Sequence, residues 1–332
     1  MRLFCACLLA ASAAYAVSPE EITPSKKAPF VQPAEAARAE LHKAVKDYMA
    51  QEPGTFAAHA GARDFPGIVE GKERVARTVA YDSSLVHRWD TTNGGAPNLY
   101  TSPDVWQETG LYAAPGEVVV VKVASIPEHR TVKIIVGCHR DSLLKLEKWH
   151  RFPIIARTFE LKVGENKIAN AFGGQLFIQS SHKDWRKPMK SSPATPLQFS
   201  NAVAMPTYVL GKDSPESWAK AKQLPAPWVT LSGKQVILHV QASAVKDLAD
   251  PKALLEWWDK AMALEDDLIA LRRLAPERVV PDRQISAGFM HSGYPFMCWI
   301  DPSQKDSVDL PKLMKEGNWG FFHELGHNHQ CS

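Results

Sequence analysis

Between residues 75 and 210 the chain is a succession of short β-rich runs with no helical stretch between them. The clearest are "EVVVVKVA" (117–124), "TVKIIVG" (131–137), "IIARTFEL" (154–161) and "GQLFIQS" (174–180), separated by turn chemistry such as "APGE" and "KVGENK". A parallel sheet needs crossovers of about a dozen residues or more, usually helical. Nothing here supplies one. Short strands punctuated by turn residues predict a β-sandwich, placed at residues 75–215.

The rest of the chain has a different texture. Residues 1–16, "MRLFCACLLAASAAYA", join a basic start at Arg2 to an apolar run and the small-x-small pattern Ala14-Tyr15-Ala16. That is the layout of a cleavable signal peptide. The run is well short of the roughly 20 apolar residues that span a bilayer, and no later run is long enough, so no transmembrane segment is expected. The protein is expected to be secreted, to the extracellular or periplasmic side. Residues 17–74 predict a tether containing Pro and Lys, then a helix with Ala37, Leu41, Ala44, Val45, Tyr48 and Met49 on its apolar face.

Residues 183–227, rich in Pro, Ser and Lys, predict a join between domains, across which the β-sandwich folds independently. The second domain, placed at 225–332, mixes strands ("KQVILHVQA", "FMCWI") with a long helix opened by Pro251. That helix is expected to bury Leu254, Leu255, Trp258, Ala261, Met262, Leu268 and Leu271. The expected fold class is therefore α+β and multidomain, a β-sandwich accessory domain ahead of a second, mixed domain.

Composition excludes one class of partner. The net charge is +3 with scattered basic residues, which leaves no nucleic-acid surface. Cys5 and Cys7 would leave with the signal; Cys138, Cys298 and Cys331 allow at most one disulfide, and their spacing marks no metal site. Nothing in the sequence fixes an oligomeric state.

The chain ends "GNWGFFHELGHNHQCS". On a helix the two His of His-x-x-x-His lie one turn apart on one face and can meet one ion. The intervening Glu then occupies the general-base position of a zinc peptidase. These roles fall on His323, His327 and Glu324. Asn318 is the expected N-cap, and Gly326 either admits a close neighbour or leaves room beside the ion. His329 lies about 200° around the helix from His327 and points away, and Cys331 is a weak candidate ligand. Catalytic zinc takes three protein groups and a water, so two imidazoles leave the set incomplete. Within "HSGYP", His291 or Tyr294 could grip substrate or an oxyanion, or the segment could simply be a turn. "GCHRDS" (137–142) is expected to be a satisfied loop.

The tail resembles the signature of the enhancin-like, mucin-targeting zinc metallopeptidases. "PERVVPDRQISAGFMHSGYPFMCW" (276–299), "NLYTSPDVWQETGLYAAPGE" (98–117) and "FGGQLFIQ" (172–179) resemble further segments of that family, in the family's order. The resemblance implies a gluzincin-like catalytic domain behind the β-sandwich, one zinc ion held by His323 and His327, and Glu324 as catalytic base. It implies exported enzymes acting on mucins and other O-glycosylated proteins. The family's third ligand is a Glu on a following helix, so the expectation is of a family member cut off after its first zinc half-site and not active as it stands. The alternatives are a glycan- or glycoprotein-binding module carrying a non-catalytic peptidase remnant, and a fragment without function.

Overall fold

The alternating valines of "EVVVVKVA" face one way, as a half-buried strand requires. In the computed structural model, which describes residues 17–81, 105–182, 195–269 and 275–328, they line the core of the predicted sandwich. The expected signal (1–16), residues 98–104, the first part of the 183–227 join (183–194), Leu271, His329 and Cys331 lie outside the described residues.

One layer runs Val75–Tyr81, Thr195–Ala204, Val119–Val123, Gly164–Ile168; the other runs Arg157–Glu160, Arg130–Val136, Gly174–His182, Trp106–Ala113. Strand Thr195–Ala204 ties them, since Val203 and Ala204 leave the first layer to pair with Tyr112 and Leu111. Val119, Val121 and Val123 meet Val132, Ile134, Leu176 and Ile178 between the layers. The second layer is covered on its outer face too. There Trp106, Ile135 and Phe177 pack on Val280, Ile285 and Met297 of the second domain. Burial on both faces is why "GQLFI" is continuously buried instead of alternating.

The second domain is a six-stranded mixed sheet in the order Thr207–Val209, Trp228–Ser232, Val236–Gln241, Glu277–Asp282, Phe296–Trp299, Met290–His291. Helices Lys252–Ile269 and Trp319–His327 cover one face, setting Leu254, Leu255, Trp258, Phe321 and Leu325 against Val229, Leu238, Val240, Val279 and Phe296. The other face meets the sandwich.

Four expectations need correction. The second sheet begins at Thr207, ahead of the expected 225, because Thr207–Val209 pairs in parallel with Trp228–Ser232. Residues 195–204 of the supposed join are a strand shared by both sandwich layers. The 17–33 tether is packed down: Ile22 is fully buried, and Phe30–Val31 pairs with Lys148–Trp149. On the long helix Leu268 is 86% exposed, against the expectation of burial. The two domains are also bonded to each other. Arg151 closes on Asp282 across the boundary, both side chains fully buried.

Candidate metal centre

Asn318, in extended backbone, opens the last helix by accepting the Phe321 amide at 3.3 Å. Phe321 and Leu325, four apart, are fully buried, and Phe321 packs edge-on against Trp258 and tilted on Phe296. Burying that face fixes the opposite one. His323 and His327 lie two residues on, about 200° around the helix, and face outward. The aromatic residues of this helix differ in environment: Phe321 is core, Phe322 is half-buried near Trp257, and Trp319 is 77% exposed, its ring 5.9 Å from that of His323. Gly320 is the close contact of this helix. A Cβ there would come within 3.0 Å of the Met290 sulfur, so its absence lets the helix approach strand Met290–His291. At Gly326 a Cβ would meet no described atom within 4 Å, so no close neighbour accounts for that glycine.

The Nε2 atoms of His323 and His327 are 3.1 Å apart, with the rings at 78°. Two nitrogens bound to one tetrahedral zinc at about 2.0–2.1 Å each sit roughly 3.3 Å apart. The pair therefore fits two positions of a zinc site. Among the described residues no group of three or more His, Cys, Asp or Glu is placed to hold a metal.

Glu324 sits between the two histidines in sequence, and its Oε2 accepts the Ser292 amide at 2.9 Å. The structure thus brings together the two stretches singled out in the sequence, "HELGH" and "HSGYP". Asn328, 1% exposed, locks them: its Oδ1 accepts the Gly293 amide at 2.8 Å, while its Nδ2 donates to the Gly293 carbonyl and to Glu277. Gly293 has φ +136°, a conformation that only glycine adopts readily, and this turns both its polar groups toward one side chain.

His291 and Tyr294 are both half-buried and make side-chain bonds within the protein. His291 Nε2 bonds Asp141 Oδ2 at 2.8 Å and Nδ1 bonds the Ser292 carbonyl at 2.8 Å. Both partners are acceptors, so the doubly protonated ring suits the site. Burial opposes that charge, but the bonds to Asp141 and Ser292 and the nearby carboxylates outweigh it and raise the His291 pKa. Tyr294 packs on Trp106 and accepts from Arg278 Nε at 2.7 Å.

Arg278 is fully buried at the domain boundary, bonded to the Glu108 carboxylate and the Trp106 carbonyl. It also donates to His239 Nε2 at 3.1 Å, which leaves the His239 proton on Nδ1, facing Thr230 at 3.2 Å. His139, of "GCHRDS", packs its ring on Trp228 and Phe65 and burial lowers its pKa to about 4. It is a core histidine. Its neighbour Asp141, read in the sequence as part of a satisfied loop, bonds a partner 150 residues away. Asn328 was passed over for want of any pattern marking it.

Residues 201–332 match the family described as Peptidase M60, enhancin and enhancin-like, and residues 76–190 match the N-terminal domain of M60-like peptidases. A TRPM8 channel-associated factor homolog from Xenopus laevis is 36% identical over 252 residues, which cover 75% of this chain. The chain spans about a quarter, 26%, of the length of that relative. The ZmpB metallopeptidase from Clostridium perfringens shares the fold with a TM-score of 0.55 at 21% identity, covering 76% of this chain and 53% of that one. The catalytic domain of Clostridium perfringens ZmpC, solved in complex with the sialyl T antigen, gives a TM-score of 0.53 at 18% identity, covering 77% and 53%. With both domains matched in order, the chain belongs to the enhancin and enhancin-like peptidase family.

Proposed function

We propose that the protein is an exported zinc-dependent endopeptidase that cleaves mucin-type O-glycosylated proteins, with His323 and His327 as two zinc ligands and Glu324 as general base. One arrangement supports this reading: two convergent imidazoles one helical turn apart, with the intervening carboxylate held by a backbone amide. A zinc ion there would act as a Lewis acid toward water and a peptide carbonyl. The chain's own residues do the rest. The Ser292 amide occupies Glu324 Oε2 and leaves Oε1 to take a proton from the attacking water. Family resemblance supports the substrate class, as does the sialyl T antigen in a catalytic domain of like fold. No described helix is long and apolar enough to cross a membrane.

The test uses the complete protein, assayed for zinc content and for chelator-sensitive cleavage of an O-glycosylated mucin. Glu324→Gln should keep the zinc and lower kcat by roughly 10²–10⁴-fold, the range of general-base catalysis. Undiminished cleavage by that variant would place the base elsewhere. A second reading, a binding module, draws on a relative named for association with a channel. Zinc-free protein that cleaves nothing yet retains a glycoprotein on a column would favour it.

A further inference from the structure

The amide that holds Glu324 is itself held from the other domain. On one flank Asn328 clamps Gly293 at both its amide and its carbonyl. On the other, His291 Nδ1 donates to the Ser292 carbonyl and Nε2 to Asp141. Asp141 lies in the sandwich domain, in the loop after strand Arg130–Val136. The same Asp141 oxygen accepts the Ser286 amide at 2.6 Å. Its backbone is fixed as well: the Asp141 carbonyl accepts from Arg151 at 3.0 Å, and that guanidinium is closed on Asp282. The side-chain bonds of Asp141 thus reach the segment 286–291, which leads directly into the turn above Glu324.

We propose that Asp141 is a positioning residue for the general base: through His291 and the Ser292 amide it holds Glu324 in one orientation, making the sandwich domain a working part of the hydrolytic site. This rests on Glu324 being the base. A glutamate has three rotatable side-chain bonds, and a single backbone donor selects among the orientations only if that donor is itself immobile. Among the described residues Asn328 holds Gly293 at both its amide and its carbonyl. The carbonyl side of Ser292 depends on His291, and His291 depends on a carboxylate from another domain. His291 has both nitrogens occupied, so it serves as a link and is not available to substrate.

The experiment is Asp141→Asn in the complete protein, which keeps the shape of the side chain but replaces the charge-assisted acceptor shared by His291 and Ser286 with a neutral amide. Two measurements are made. Hydrogen exchange at the Ser292 amide should accelerate at least tenfold, whether or not the protein hydrolyses anything. The kcat on a glycosylated substrate should fall by about 10-fold or more with KM and zinc content unchanged, since a misplacement of about 1 Å can cost roughly 10²-fold. The double variant Asp141→Asn with His291→Leu should be no slower than Asp141→Asn alone, because both cut one chain of contacts. Should Asp141→Asn fail to fold, His291→Leu alone carries the same two measurements. Unchanged exchange at Ser292 overturns the proposal, and so does accelerated exchange with unaltered kcat. Wild-type protein with no hydrolysis would instead overturn the reading of Glu324 as a base, and the exchange result would still decide whether Asp141 holds the turn.

Discussion

Arg151 and Asp282 face each other across the domain boundary through two hydrogen bonds, Nε to Oδ1 at 2.6 Å and Nη2 to Oδ2 at 2.8 Å, with no solvent access to either side chain. The guanidinium also donates to the carbonyls of Phe152 and Asp141, so each edge of its planar fork is satisfied. The second carboxylate edge is used too: Asp282 accepts the Gln284 amide.

Removing one partner of this pair leaves an uncompensated buried charge. Asp282→Ala or Arg151→Ala should therefore destabilise the protein by about 3–5 kcal/mol. The double replacement by apolar residues should cost less than either single change. Denaturant unfolding followed by two probes, one in each domain, checks this. Both probes should move together, and a sandwich that melts at its wild-type midpoint in Asp282→Ala would show that the boundary does not couple the two.

The last helix offers a sharper contrast. Phe321 is fully buried and Trp319 is 77% exposed, two residues apart in one sequence run. Phe321→Ala should cost about 3–5 kcal/mol through lost burial and a cavity. Trp319→Ala should stay within about 0.5 kcal/mol, as an exposed position does. Thermal denaturation of both variants settles the comparison; equal losses would mean that Trp319 is covered in solution.

Metal binding separates the ligand pair from the base. His323→Ala and His327→Ala should each abolish stoichiometric zinc in the complete protein, because either change removes one of the two convergent nitrogens. Elemental analysis after dialysis reads this out. Zinc retained at one equivalent by either variant would put the ion elsewhere.

The pH response has two opposing parts. The folded-state pKa of His291 is raised above 6.5 and that of Asp141 lowered below 3.8, in each case because their mutual hydrogen bond and charge outweigh burial. The His291 contribution is fully present below pH 6.5 and fades as pH rises through its elevated value. The Asp141 contribution is present above pH 3.8 and fades as pH falls through its depressed value. The link is complete between those limits. His139 works the other way. Held neutral by burial until about pH 4, it costs stability as pH drops from 6.5 toward that value. Nuclear magnetic resonance of the imidazoles should show His291 titrating above 6.5 and, in Asp141→Asn, moving down; an unmoved His291 would contradict the assigned bond.

The sandwich and the motif helix were legible in the sequence because their signals are local. Period-two valines mark a sheet face, and the i, i+4 histidines with Asn318 ahead of them mark a capped helix. The boundary was not legible, for a physical reason. In "ERVVPD" the charged positions look like the solvent side of an ordinary strand, yet Arg278 and Asp282 are buried, with partners 170 and 131 residues away in Glu108 and Arg151. No periodicity distinguishes a polar residue facing water from one facing a complementary charge on another sheet. The supposed tether fails similarly. Ile22, one apolar residue among Pro, Lys and Ser, has no pattern to announce that it is core.

The bond between His291 and Asp141 also bears on descent. Sequence matching draws a line between the two domains near residue 200, as if each could be inherited or exchanged alone. A recombinant that took its sandwich from one parent and its motif helix from another would inherit position 141 and position 291 from different histories, along with 151 and 282. Only pairs that happen to answer each other would survive the exchange. The two domains are thus expected to travel through evolution as one heritable unit, with substitutions at 141 followed by substitutions at 291.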